Sequence, residues 1–329
     1  MKRIDEIDVI KGIGIFLVVL GHLEPGKRLM CFIYSFHVFS FYFCSGWLYN
    51  RKLERSLSSV IKKNVKRLLL PFFIWFCISQ TFDLISGELE LFSFVQNLFF
   101  INGSVGWNAA LWFLISLFWA EMICVASIKK EKKLILFLIP FMLALSAIFS
   151  CFTFYLPFGL YTVPIASLFW LFGFEFGRFN ILPLLRSSNS KSVLLLLTLV
   201  INVVFGSIFN DTISIYHNIY HNVLFTVVAG ISGIMFIILI SIFLCQEKEG
   251  VFRILKLYGR NTLLILCSHY LLLRLIRIIS LNSIGIDLWR SVSTPKSIVL
   301  TALIMLFYYF VMNKNVRKEM REEQKNIDS

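Results

Sequence analysis

The stretch from Asp8 to Leu23 reads DVIKGIGIFLVVLGHL and decides the fold class. It is an apolar run with an acid and a lysine near its start and a histidine near its end. Because about 20 residues span the roughly 30 Å hydrocarbon core of a bilayer, we expect a transmembrane helix here. Ionisable groups on such helices are costly and usually face the protein interior. Asp8, Lys11 and His22 are therefore candidate functional residues.

The composition extends this expectation to the whole chain. Of 329 residues, 58% are hydrophobic and 16% charged, with a mean hydropathy of +0.79, too apolar for a soluble globular domain. The alternating runs of about 10 residues typical of a membrane barrel do not occur. We predict an all-α polytopic integral membrane protein with about ten transmembrane helices. They are expected near residues 7–24, 30–49, 68–86, 108–127, 134–150, 156–177, 193–209, 222–245, 261–281 and 297–313. The piece 92–101 predicts a short interfacial or re-entrant segment.

The distribution of positive charge predicts the orientation. With a cytoplasmic amino terminus, the inner segments carry 25 Lys and Arg residues and the outer segments four. This positive-inside bias predicts that both termini are cytoplasmic, and it accounts for the net charge of +13 without nucleic acid. We expect one transmembrane domain over 1–329, a cytoplasmic tail at 314–329 and no soluble extracytoplasmic domain. Acidic residues precede the first helix, which argues against a signal peptide. The seven cysteines lie singly and indicate neither a disulfide framework nor a metal site.

The ionisable residues of the first helix share one side of it. Lys11 and His22 are eleven residues apart, which places them within about 20° around the helix and about 16 Å apart along it. Asp8 lies about 40° from His22 on the same side. One stripe therefore carries all three across most of the membrane. The alternative is that Asp8 and Lys11 pair at the inner interface while His22 lies at the outer one.

Further along, four segments resemble a known family together with this first helix. The first helix supplies Asp8, Lys11, Gly12 and His22, and the second reads FHVFSFYFCSG at 36–46. The other matching segments are KKNVKRLLLPFF (62–73), LWFL (111–114) and YGRNTLLILCSHY (258–270). In order and spacing they are similar to the membrane-bound acyltransferase family 3. The chain departs from that pattern in lacking the Arg-x-x-Arg pair before the third helix and the proline after His37, so we expect no proline kink there.

The resemblance implies transfer of an acyl group, usually acetyl from acetyl-CoA, to a hydroxyl of a cell-surface or lipid-linked carbohydrate. The expected setting is the bacterial inner membrane, and no metal or tightly bound cofactor is expected. Chain length and LWFL favour the fucose-acetylase-like branch. Acyl transfer to a hydroxyl needs a base with a pKa near neutrality, which suits His22, acting either as the base or as a transient acyl acceptor.

The remaining candidates follow from charge and position. Lys63, Lys66 and Arg67 begin the third helix and are suited to the phosphates of CoA. Lys11 and Asp8 form a pair that is either structural or lines a donor entrance. His37 is either a second catalytic group or a hydrogen-bonded interior histidine. Glu121, Arg274 and Arg277 are candidates for acceptor binding, although arginines near a helix end also snorkel to headgroups.

Two outer segments suit a carbohydrate by composition. INGSVGWNAALW and FNDTISIYHNIYHN are rich in Asn and aromatic residues, and the second also contains His, as is also usual in an interface belt. The alternative function is a transporter or flippase that uses buried charges for coupling. Its expected signature, internal repeats with paired broken helices, is not found in the sequence.

Overall fold

The computed structural model describes residues 3–327 except 51–55, 86, 88–89, 101–103, 132, 153–154, 248, 286 and 288–293. Its regular elements are helices, which confirms the all-α prediction for the described residues. The α-helices are α1 (Asp5–Gly21), α2 (Lys27–Tyr34), α3 (Phe39–Asn50), α4 (Leu57–Asn64), α5 (Leu70–Ile85), α6 (Leu91–Phe99), α7 (Trp112–Lys130), α8 (Leu134–Cys151), α9 (Val163–Arg178), α10 (Ile181–Ser187), α11 (Lys191–Val203), α12 (Val223–Glu247), α13 (Val251–Arg260), α14 (Thr262–Ile284) and α15 (Thr294–Ile327).

Within the described part of the chain, nine helical segments are long and apolar enough to cross a membrane. They are Lys27–Asn50, Leu57–Ile85, Ala109–Lys130, Leu134–Cys151, Pro157–Arg178, Lys191–Ile208, Val223–Glu247, Thr262–Ser283 and Thr294–Asn313. The predicted first helix is α1, whose 17 residues are one fewer than the shortest of these and lie within the range of spanning helices. The polytopic architecture is thus confirmed, and the cytoplasmic placement of both termini stays a prediction.

The segment predicted at 92–101 and the predicted tail at 314–329 can now be compared with the structure. The piece predicted at 92–101 forms the short helix α6, whose nine residues are too few to cross a bilayer. Helix α15 continues past residue 313 to Ile327, so most of the predicted tail is helical.

Burial separates central helices from peripheral ones. The segments Lys27–Asn50, Ala109–Lys130 and Pro157–Arg178 are each 72% buried, whereas Leu134–Cys151 is 17% and Lys191–Ile208 only 11% buried. Phenylalanine rings fill the centre, as in the stack of Phe39 on Phe169 with centroids 3.9 Å apart. The peripheral helices thus leave most of their apolar surface available to lipid.

The predicted helix 30–49 is broken at residues 35–38, which corrects the expectation of one continuous helix there. Helix α2 ends at Tyr34 and α3 begins at Phe39 without any proline between them. Side chains bond the local carbonyls instead, with Ser35 Oγ 2.7 Å from Phe32 O and Ser40 Oγ 2.6 Å from His37 O. Such side-chain bonds compete with the helical ladder and bend the chain.

Candidate active site

A cavity of about 340 Å³ lies at the carboxyl end of α1. It brings together two predicted site residues, His22 from α1 and His37 from the break between α2 and α3. Mostly apolar side chains surround them, with a few polar groups between. Those polar groups are Tyr34, Thr212, Ser214, Tyr216, His217 and Tyr270. A mostly apolar pocket of this size with a few convergent polar groups is typical of a small-molecule site.

His22 is held in the cavity by α14. Helix α1 ends at Gly21, and the Tyr270 hydroxyl lies 3.0 Å from His22 Nδ1. The ring of His269 stacks on the His22 ring with centroids 5.2 Å apart and planes 28° apart. Two consecutive residues of α14 therefore fix both the position and the tilt of the imidazole.

His37 is buried, and its tautomer follows from its partner. Its Nδ1 lies 2.7 Å from the carbonyl oxygen of Ile33. Because a carbonyl can only accept, Nδ1 donates, and Nε2 is then the acceptor nitrogen of the neutral ring. The Tyr34 ring packs edge-on against His37 at 4.9 Å. His37 thus makes the predicted interior hydrogen bond through Nδ1 and also lines the cavity, and its catalytic role stays a prediction.

Asp8 and Lys11 form an ion-pair cluster at the opposite end of α1. The Asp8 carboxylate is buried and meets Arg3 Nε at 2.7 Å and Lys11 Nζ at 3.2 Å. Arg260 Nε approaches it at 3.4 Å. Lys11 Nζ also donates to the carbonyl oxygen of Gly259 at 2.9 Å. Three cations share one acid here. Lys11 lies on α1 itself, Arg3 precedes it, and Arg260 is the last residue of α13.

Helix α13 reaches this cluster through backbone-to-backbone packing. A Cβ atom on Gly259 would lie 1.7 Å from the carbonyl oxygen of Asp8, and one on Gly12 would lie 2.0 Å from that of Leu255. Only glycine allows these approaches. These close approaches explain why glycine occupies positions 12 and 259, next to Lys11 and Arg260.

The stripe predicted on α1 faces one neighbour along its whole length. Lys11 contacts Gly259 and His22 contacts Tyr270, and both pairs are separated by 248 residues. The two segments therefore run side by side in the same direction over eleven residues. The single stretch 258–270 therefore contacts both ends of α1.

Comparison with known proteins identifies the family of the chain. A family model described as "Acyltransferase domain" matches residues 4–314, nearly the whole chain. The chain belongs to the acyltransferase 3 family. Searches of curated proteins and of solved structures give no significant match. The resemblance seen in the sequence is thus confirmed for the family, and the fucose-acetylase-like branch stays a prediction.

Of the cations predicted to bind CoA in this acyltransferase, Lys63 lies on α4, and Lys66 and Arg67 lie in the π-helical turn that follows it over Val65–Leu69. Lys66 is exposed, while Lys63 and Arg67 are half-buried. The neighbouring Arg51, Lys52 and Arg55 of the same basic loop lie outside the described residues, as does Arg290 of a predicted outer segment.

Glu121 has two partners that the sequence did not indicate. Its buried carboxylate accepts from Arg67 Nη2 at 2.7 Å and from Ser45 Oγ at 2.7 Å. It lines a void of about 20 Å³ beside Lys63, which is room for about one water molecule. The cavity that contains His22 is lined by other residues. The structure therefore associates Glu121 with the predicted donor cations, and its role in acceptor binding stays a prediction.

Arg274 and Arg277 also have acidic partners. Arg274 Nη1 lies 3.0 Å from Asp83 Oδ1, and its guanidinium lies 4.6 Å from the Trp107 ring centroid. Arg277 Nε lies 2.8 Å from Asp287 Oδ2. Ion pairing within the protein thus accounts for both arginines. Neither lines the cavity of His22, and their predicted contact with an acceptor stays untested.

Segment 209–222 forms one wall of the cavity and is held in place by its own bonds. Ser214 and Ile219 exchange two backbone hydrogen bonds of 2.8 Å, and Tyr161 Oη donates to the carbonyl oxygen of Tyr216 at 2.7 Å. Asp211 accepts from Lys27 Nζ at 2.8 Å. This hydrogen bond holds the pKa of the Asp211 carboxyl below its ordinary range. The pair therefore stays charged at neutral pH and ties the segment to α2.

Sequence reasoning missed Tyr270, Tyr34, Tyr216 and His217 as cavity residues. Tyr270 had a usable signal, because it directly follows His269 in the segment that matched the family. The others had only the aromatic and Asn-rich composition of their segments. Their place in the wall depends on contacts between parts of the chain that are far apart in sequence.

Proposed function

We propose that this acyltransferase is an O-acetyltransferase that moves an acetyl group from cytoplasmic acetyl-CoA to a hydroxyl of a cell-surface or lipid-linked carbohydrate. The observation that carries the proposal is the cavity at the carboxyl end of α1, where His22, hydrogen-bonded to Tyr270, and His37 line the same mostly apolar space. The predicted setting is the bacterial inner membrane.

His22 supplies the proton-transfer chemistry in this proposal. In the direct route, its imidazole takes the proton of the acceptor hydroxyl while the oxygen attacks the thioester carbonyl. The C–S bond breaks, and the CoA thiolate leaves and takes up a proton. In the covalent route, the imidazole nitrogen attacks the thioester carbonyl, the C–S bond breaks, and the CoA thiolate leaves with a proton from the imidazole. The acceptor oxygen then attacks the acyl-imidazole, and the released imidazole nitrogen takes up the hydroxyl proton. Both routes use the same geometry, a His22 ring fixed from the Nδ1 side.

The donor side of the proposal rests on the cations of the inner face. Lys63, Lys66 and Arg67 lie together at the start of the third predicted span. Arg67 gives one Nη2 hydrogen bond to Glu121, and a guanidinium has five N–H donors, so others remain for a phosphate. Asp8 and Lys11 shape the inner end of the helix whose outer end carries His22.

The test is transfer by the purified protein in lipid nanodiscs. The donor is acetyl-CoA and the acceptor is the total surface and lipid-linked glycan fraction from cells that lack the gene. Mass spectrometry is expected to show the mass increment of one acetyl group on a sugar with the wild-type protein. His22→Ala should lower the rate by about 10²–10⁴-fold, the usual contribution of a general base. A His22→Ala protein that melts at the wild-type temperature and keeps its activity would remove His22 from the reaction.

A further inference from the structure

A second depression lies on the predicted outer side, next to the cavity of His22. We call it the outer groove, and it has a volume of about 220 Å³. Six of its lining residues matter here: Ser150, Phe152, Tyr155, His217, Asn218 and His221. His217 lines the cavity of His22 as well. The two spaces therefore share one wall residue.

The polar groups of the outer groove are suited to hydroxyl groups. Asn218 is buried, and its amide nitrogen donates to the carbonyl oxygen of Phe149 at 2.6 Å, which fixes the orientation of the amide. Its Oδ1 has no hydrogen-bond partner among the described residues. His221 Nε2 lies 3.3 Å from the carbonyl oxygen of Thr212, so Nε2 donates and Nδ1 is the acceptor in the neutral ring. The Nδ1 acceptor of His221 can take a hydrogen bond from a ligand hydroxyl, and the bond from Asn218 to Phe149 holds the groove wall in place.

Backbone conformation and aromatic residues support the same interpretation. Asn218 and His221 have φ angles of 56° and 52°, in the left-handed region that non-glycine residues seldom adopt. Strained residues of this kind cluster at ligand sites when the surrounding structure holds them. Phe152 and Tyr155, both exposed, present ring surface at the edge of the groove. Apolar rings beside hydrogen-bond acceptors match the two faces of a pyranose, one of C–H groups and one of hydroxyls.

We propose that the outer groove binds the sugar ring next to the one that receives the acyl group. The acceptor is then a glycan or glycoconjugate of at least two rings, with the acylated ring beside His22 and its neighbour across His217. The groove is smaller than a typical site for a drug-sized ligand, which fits a single ring. This inference rests on the proposed function.

The experiment compares aromatic residues of matched exposure. Phe152→Ala removes a groove residue that is 56% exposed, and Phe209→Ala removes one that is 60% exposed but lines neither space. With the glycan fraction as acceptor, Phe152→Ala should raise the KM for the acceptor about two- to tenfold and leave the KM for acetyl-CoA unchanged. His221→Ala should act in the same direction, and Phe209→Ala should match the wild type.

Chain length of the acceptor gives the second measurement. The same glycan fraction, partly hydrolysed and separated by size, provides monosaccharide and oligosaccharide probes. The wild-type protein should prefer the oligosaccharides, and Phe152→Ala should reduce that preference. Equal KM values for Phe152→Ala and Phe209→Ala, or equal use of monosaccharides and oligosaccharides by the wild type, would overturn the groove assignment alone. A wild-type protein that transfers no acetyl to any fraction would overturn the proposed function and with it the groove assignment.

Discussion

The hydroxyl of Tyr270 lies 3.0 Å from Nδ1 of His22, although 248 residues of chain separate them. A hydrogen bond to one ring nitrogen fixes the orientation of the ring and the direction of the other nitrogen, as for histidines with an orienting partner in known active sites. Tyr270 therefore directs Nε2 of His22 away from α14. It is a positioning residue for His22.

Tyr270→Phe tests this role, because it removes the hydroxyl and keeps the ring. We expect kcat to fall about five- to tenfold, the usual worth of one hydrogen bond, with the KM for acetyl-CoA unchanged. The pH dependence of kcat should also shift, since the ring nitrogen loses its partner. Steady-state kinetics in nanodiscs measure both quantities.

The control for Tyr270→Phe is Tyr258→Phe. It breaks a buried bond of similar length, from Tyr258 Oη to the carbonyl oxygen of Met305 at 2.8 Å, away from the cavity. This variant should lose some stability and keep the wild-type pH profile. Identical pH profiles for wild type and Tyr270→Phe would show that Tyr270 is only a packing residue.

The Asp8 cluster predicts a stability effect rather than a chemical one. Asp8→Asn leaves Arg3, Lys11 and Arg260 around a neutral side chain. We expect a loss of about 1–2 kcal/mol, because hydrogen bonds to a charged group are worth more than neutral ones, while the partly exposed cations remain solvated. Thermal unfolding in detergent measures it as a lower Tm.

Asp5→Asn is the matched control for the cluster. Asp5 pairs with Lys256 at 2.7 Å, and its own side chain is 41% exposed. Exposed pairs contribute about 0–1 kcal/mol, so this Tm should change little. If both variants lowered the Tm equally, the burial of Asp8 would not explain the contribution of its cluster to stability.

The role of the predicted donor cations can be tested by removing two of them and, as a control, removing two cations from another segment. Lys63→Gln with Lys66→Gln should raise the KM for acetyl-CoA about 30-fold, at about 1 kcal/mol for each of the two charge-assisted contacts that are lost. The control is Lys129→Gln with Lys130→Gln, which removes two cations from another segment predicted to be cytoplasmic. Similar KM values for the two double variants would mean that only overall charge matters.

Much of the fold could be predicted from sequence because the signals are local. Apolar runs placed the spanning helices, and the helical period placed Asp8, Lys11 and His22 on one stripe. The break at residues 35–38 was not predicted, because it depends on serine-to-carbonyl bonds that no proline announces. His22 was identified as a candidate, but its partner Tyr270 could not be assigned from spacing, since a contact over 248 residues is set by tertiary packing.

Glu121 shows the same limit and yields the sharpest test of the site. Sequence offered no partner for it, whereas the structure places its carboxylate 2.7 Å from Arg67 Nη2. Arg67→Gln alone removes the cation and leaves the buried carboxylate with the hydrogen bond from Ser45 Oγ at 2.7 Å, so we expect a loss of about 2 kcal/mol or more in stability. The double variant Arg67→Gln/Glu121→Gln removes the uncompensated charge and should recover most of the Tm.

Kinetics on that double variant then locate the function of the pair. Because Glu121 contacts Arg67 and lies outside the cavity of His22, we expect a higher KM for acetyl-CoA and an unchanged KM for the glycan acceptor. A change confined to the acceptor KM would instead support the acceptor role predicted from sequence. Arg67→Gln and the double variant both lack Arg67 and differ only in the charge of residue 121. If the double variant recovers the Tm, a change in either KM therefore reports on binding and not on unfolding.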